Sequence, residues 1–242
     1  AFNMASSIQL SLQMQKGSKA DGTLGYMTEE QYEQLVNSDF VEQAGHRRII
    51  GYASNTSSHS IEINYADSVQ QELTFCVPTH GAAPEKANEI ATTDLALKAL
   101  GVEPEIGAEV PLEFELRGKT YHYDMVLSGW WEASNDSVSV ATVSEQFIKE
   151  NPDVVQNTYA VDHEMSGVTF SDVVLKNKAN VQQQLNEFVC SIGGNPEDMG
   201  ADNFILASEN QMSQGLTSSE SIVFAVVFIL MFVVCGYLLI YN

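Results

Sequence analysis

Residues 110–127 read VPLEFELRGKTYHYDMVL, and this stretch decides the fold class. Val110, Leu112, Phe114 and Leu116 alternate with polar residues, Arg117-Gly118-Lys119 turns, and Tyr121, Tyr123, Met125 and Leu127 alternate back. A period of two on both sides of a short glycine-containing turn predicts an antiparallel hairpin with one apolar face. Ile61, Ile63 and Tyr65 alternate with Glu62 and Asn64, as in a half-buried strand. Leu73, Phe75 and Val77 repeat that pattern before Pro78, and Ser137 to Val143 alternates too. Val41 to Ala53, broken by Gly45 and Gly51, reads as extended or interrupted strand, and His80-Gly81-Ala82-Ala83-Pro84 as loop.

Helices fall between these strands. Thr28-Glu29-Glu30-Gln31 has the capping-box pattern and predicts a helix to about Asn37 that buries Tyr32, Leu35 and Val36. A short helix from Thr93 carries Leu95, Leu97, Ala99 and Leu100 and stops at Gly101; another spans Ser144 to Glu150. Val181, Leu185, Phe188, Val189 and Ile192 lie on one face of an amphipathic helix closed by Gly193. Hairpins outnumber crossovers, so the expected class is α+β, built on antiparallel sheet.

The 242 residues carry 11 Lys and Arg against 32 Asp and Glu, a net charge of −21. Nucleic-acid binding needs clustered cations on phosphates, and anionic headgroups need a polybasic patch; this balance argues against both. Three cysteines rule out a disulfide-dense scaffold.

The averages hide the segment 222–240, IVFAVVFILMFVVCGYLLI, which has no charge; 14 of its residues are Ile, Val, Leu or Phe. With its flanks it supplies about 20 residues, roughly 30 Å of helix, the thickness of a bilayer's hydrocarbon core. It is apolar all round, so we expect a membrane span, with Ile222, Phe224, Phe228, Phe232, Leu239 and Tyr241 along it. Every Lys and Arg lies between Lys16 and Lys178, leaving none near the span, which predicts that residues 1–220 lie outside the cytoplasm. The opening AFNMASSIQLSLQMQKG has a broad apolar face from Phe2, Ile8 and Leu12. It reads as a helical stalk leaving a preceding span and ended by Gly17, so the chain is expected to be a piece of a longer protein. The expected division is 1–20 stalk, 21–215 outer domain with two sub-domains, and 216–242 transmembrane helix.

No catalytic constellation emerges. His46, His59, His80, His122 and His163 are scattered, and Asp162-His163-Glu164 is better read as a solvated loop than as a metal site. Neither a P-loop, a nucleophile elbow, a Rossmann glycine set nor a CxxC occurs, and no cofactor or metal is expected. Cys76 and Cys190 either pair or stay free; spacing does not choose. Trp130-Trp131 at a strand end is a candidate interface, against the alternative of internal packing.

Three stretches together resemble the first extracytoplasmic domain of FtsX-like, MacB-type ABC transporter permeases. They are Met27-Thr28-Glu29-Glu30-Gln31 with Leu35 and Val41; the run from Gly81-Ala82-Ala83-Pro84 through Asn88-Glu89-Ile90-Ala91, Leu95, Leu100-Gly101, Ile106-Gly107, Leu127-Ser128-Gly129 and Val143-Ser144 to Phe147; and Ile240-Tyr241-Asn242. Residues 150–205 match least. The resemblance implies an outer domain of the MacB/FtsX periplasmic-core type between two spans, in a multi-pass protein of the cell membrane. It implies a dimer with a second permease, contact with membrane lipid and a cytoplasmic ABC ATPase subunit that hydrolyses ATP. Motion of the spans would then drive export or handling of a peptide, lipid or antibiotic-like amphiphile, by mechanotransmission. The same resemblance leaves open a membrane-anchored regulator or sensor acting on an envelope partner such as a cell-wall hydrolase.

Overall fold

The computed structural model describes residues 13–14, 17–56, 60–133 and 139–210. The expected span, with Ile222, Phe224, Phe228, Phe232, Leu239 and Tyr241, lies outside the described residues, as does most of the stalk. Among the described residues no helix is long and apolar enough to cross a membrane.

Strands β7 (Glu109–Leu116) and β8 (Lys119–Trp131) form the expected hairpin, with Leu116 opposite Lys119. Arg117 and Gly118 have φ of 51° and 71°. Two consecutive left-handed residues make the turn whose twist matches that of the flanking strands. Phe114, Tyr121 and Tyr123 stack across the hairpin, with ring centroids 5.4 to 6.5 Å apart.

The hairpin joins a sheet that also contains β1 (Gly22–Gly25), β2 (Val41–Ala44), β3 (Arg47–Tyr52), β4 (Ile61–Ala66), β5 (His80–Gly81), β6 (Glu89–Thr93), β9 (Ser139–Val143), β10 (Thr169–Leu175) and β11 (Leu206–Glu209). Its order is β11-β1-β10-β3-β4-β9-β6-β8-β5, with β2 also on β10 and β7 on β8. Most pairings are antiparallel; β4 with β9 and β6 with β8 run parallel. The architecture is therefore mixed α/β, one large sheet with few helices, and antiparallel pairing predominates within it.

The helices are α1 (Glu29–Val36), α2 (Ser68–Leu73), α3 (Asp94–Leu100), α4 (Glu145–Glu150), α5 (Tyr159–Asp162) and α6 (Val181–Ser191). In the α1 capping box Gln31 N–H donates to Thr28 Oγ1, and Thr28 N–H donates to the Gln31 side chain. Thr93 and Ser144 cap α3 and α4, and Gly101 ends α3 at φ 72°. Helices α3 and α4 cover a hydrophobic cluster that includes Ile61, Ile90, Leu97, Phe114 and Phe147. Helices α1 and α6 cover a second, with Leu24, Leu35, Val173, Leu185 and Val189.

Four local expectations are corrected. The strand expected over Leu73–Val77 does not form: Asp67 Oδ1 accepts from Gln70 N–H at 2.7 Å and starts helix α2, which runs through Leu73, and Phe75 then turns at φ 58°. Strand β4 is buried on both faces, since it lies mid-sheet between β3 and β9. Its buried Glu62 is matched by Arg47 at 3.2 Å and by the Asn64 amide at 2.7 Å. Val36 is 49% exposed, because Leu35 takes the inward position of α1. Within the expected loop 80–84, His80–Gly81 pairs with β8 as β5.

Candidate functional site

The chain enters and leaves the described domain through adjacent strands. β1 pairs antiparallel with β11, Gly22 facing Glu209, and with β10 on its other side. At this root Asp21 is 4% exposed. Its N–H donates to Val173 O at 2.8 Å, and its carbonyl accepts from Asn210 N–H at 2.6 Å. Its carboxylate accepts from Leu175 N–H at 2.7 Å and from Lys178 Nζ. Asn210 Nδ2 also donates to Ala20 O at 3.0 Å. One residue thus ties three segments together: its backbone carbonyl holds the leaving strand, and its buried carboxylate holds the end of β10. Glycine is required at Gly22, where a Cβ would stand 2.6 Å from Leu185 Cδ1 and 2.8 Å from Ser208 O.

The segment before the root is fastened too. Gly17 has φ 76°, its N–H donates to Met14 O, and Ser18 N–H donates to Gln13 O. That pair of bonds is a Schellman helix end. Lys19 N–H then donates to Leu73 O at 2.8 Å, and its ammonium sits 4.9 Å from the Phe75 ring centre.

Trp130 and Trp131 lie near the opposite edge of the sheet from β11. Trp131 faces inward at 3% exposed. Trp130 is half-buried against the first cluster and stacks on His80, centroids 3.8 Å apart and planes at 10°. Val77, three residues before His80, is exposed, as is Ile106, whose Cδ1 lies 2.7 Å from where a Cβ on Gly81 would stand. Of the two tryptophans, Trp130 is the one that reaches the surface.

A polar cluster lies beneath the start of α1. His46 is 8% exposed, its ring 4.4 Å from that of Tyr32, its Nε2 3.6 Å from Glu29 Oε1; the same carboxylate oxygen accepts from Arg48. Burial pushes the His46 imidazole below its ordinary value, with Asp67 opposing the shift. Burial, with Asp67 adding to it, pushes the Tyr32 phenol up to about 12. An unfolded chain takes up a proton at about pH 6.5, before folded His46 does. The unfolded state therefore binds more protons as pH falls below that value, and stability drops. His46→Asn is expected to flatten the fall in Tm between pH 7 and pH 5; an unchanged profile would assign that fall to other groups.

Among the described residues no three His, Cys, Asp or Glu side chains are grouped to hold a metal ion. Asp162 of the expected solvated loop is engaged by Thr158 at 2.8 Å and Arg117 at 3.4 Å. Cys76 and Cys190 do not pair: both are free thiols, Cys76 half-buried and Cys190 exposed on α6. The root was missed in the sequence reading because its partners stand more than 150 positions apart; the aspartate before Gly-Thr-Leu-Gly was the available signal.

No family model and no curated protein matches this chain. Among solved structures it is similar to the extracellular domain of the noncanonic ABC-type transporter YknZ from Gram-positive bacteria: 14% identity, 77% of this chain and 98% of that one, TM-score 0.48. It is also similar to the periplasmic region of MacB from Actinobacillus actinomycetemcomitans: 9% identity, 80% of this chain and 91% of that one, TM-score 0.47.

Proposed function

We propose that the chain is the outer domain of an ABC transporter permease, fixed at one root between two membrane-linked ends. The observation that carries this reading is the Asp21 knot, which holds entry and exit side by side. A domain inserted between two spans must begin and end on one side, and this one does.

The mechanical consequence follows from the strand directions. Antiparallel β1 and β11 meet the root at Gly22 and Glu209. A force that separates the two ends would load their hydrogen bonds one at a time, starting beside Asp21. A force that moves both ends together is carried by all of them at once, and by β10 behind β1. Paired motion of the spans would thus reach the sheet as rigid displacement, whereas separation would open the root. The span at 222–240 supplies one membrane connection, the stalk before Gly17 the other, with residues 1–220 extracytoplasmic. The half-exposed His80–Trp130 pair, on the edge away from the root, is the candidate surface for an envelope substrate or partner.

ATP hydrolysis belongs to a separate cytoplasmic subunit in this reading. Affinity capture of the full-length protein from membranes in mild detergent is expected to retain an ABC ATPase and ATP-hydrolysing activity. Recovery from the membrane without either, under conditions that preserve complexes, would overturn the proposal.

A further inference from the structure

A group of aromatic side chains belongs to neither hydrophobic cluster. Tyr26 is its centre: ring centroids lie 5.0 Å away for Tyr159, 5.5 Å for Phe170 and 5.8 Å for Phe204. The interplanar angles run from 50° to 62°. Tyr52, 45% exposed, adjoins it, and Tyr52 and Tyr159 both raise the Tyr26 phenol beyond what burial alone does. All of these rings are partly exposed. Tyr26 also has φ 68°, a left-handed conformation that costs a non-glycine residue free energy, and its N–H is held by Thr169 O at 2.9 Å. The patch stands at the end of β1 away from Asp21, roughly 13 Å along the strand. Aromatic side chains that leave the core, gather on the surface and keep their hydroxyl tips form the composition of protein-binding hot spots.

Charge selects the partner. Tyr159, Phe170 and Phe204 come from stretches 150–175 and 179–210, which contain no Lys or Arg. The nearby cations are already matched: Arg47, over the Phe170 ring at 5.2 Å, by Glu62 at 3.2 Å, and Arg117 by Asp162 at 3.4 Å. Glu164 follows α5 and Asp202 precedes Phe204, adding negative charge in sequence next to the rings. A second copy of a chain with net charge −21 would be repelled, as would any polyanion. We propose that this patch docks a partner's polypeptide segment in which lysine or arginine alternates with aliphatic residues. The cations would lie over tyrosine faces and beside carboxylates, the aliphatic groups on Phe170 and Phe204.

This inference does not rest on the permease reading, because it needs neither a span nor an ATPase. The test uses the full chain in phosphatidylcholine nanodiscs, with empty discs subtracted, and a fluorescent peptide repeating Lys-Val-Ser. Saturable binding is expected, weakened at least tenfold when glutamine or glutamate replaces lysine. The double variant Tyr52→Ser/Tyr159→Ser, with its melting temperature checked, is expected to lose at least tenfold in affinity. Val36→Ser, exposed on α1 and outside the patch, is expected to change nothing. Absence of binding, equal binding of the glutamine peptide, or full affinity in the double tyrosine variant would each overturn the proposal.

Discussion

Gly167→Ala is expected to destabilise the domain by about 2–5 kcal/mol, a large share of the roughly 5–15 kcal/mol that holds a typical domain folded. Two costs combine. Gly167 has φ 78°, where a Cβ is strained. That Cβ would also stand 2.4 Å from Asn157 N, 2.5 Å from Val155 O and 2.6 Å from Gln156 C, all backbone atoms. Flexible side chains can yield, but these atoms are fixed by the packing of buried Val154 and Val168. Gly101→Ala separates the costs: its φ is 72°, yet nothing lies within 4 Å of the added carbon. Urea unfolding of both variants should show a loss of only about 1–2 kcal/mol at Gly101. Equal losses at both positions would mean that the backbone contact at Gly167 relaxes.

The second large effect is expected at the root. Asp21→Ala removes the acceptor of Leu175 N–H and the partner of Lys178. The amide stays buried and unsatisfied, while Lys178, 49% exposed at its side chain, turns to water. The loss is therefore that of one charged buried acceptor, about 1–3 kcal/mol, rather than that of a fully buried ion pair. Its location matters more than its size. Hydrogen exchange is expected to quicken at the start of β1 and at the end of β10, where Leu175 N–H loses its acceptor, while the β7–β8 hairpin keeps its protection. Uniform quickening across the sheet would show that Asp21 contributes to global stability without clamping the root.

The sequence disclosed those elements whose signals are local. The β7–β8 hairpin carries its register in a strict alternation and a two-residue turn. Thr28, Thr93 and Ser144 announce helix starts within four residues, and Gly101 announces a stop. Strand β10 was not read, because Phe170 and Val174 put apolar groups on its half-exposed face and blur the period of two. Strand β1 was hidden by its glycines, which it needs for close approach to α6 and β11. Helix α2 was obscured by Leu73, Phe75 and Val77, whose alternation spans the end of a helix and the following turn. The Trp130-Trp131 pair was visible, but that one faces inward and the other stacks on His80 depends on the pairing of β5 with β8. The root and the Tyr26 patch draw on segments far apart in the chain, so no window of sequence contains either.

The central claim is that the acidic domain sits across a membrane from the cytoplasm, beside an apolar segment in the bilayer, and two native cysteines test it together. In intact cells whose outer surface is accessible, a membrane-impermeant maleimide is expected to label exposed Cys190 of the full-length protein and to leave Cys235 unlabelled. Labelling of Cys190 only after the cells are broken open would contradict the account.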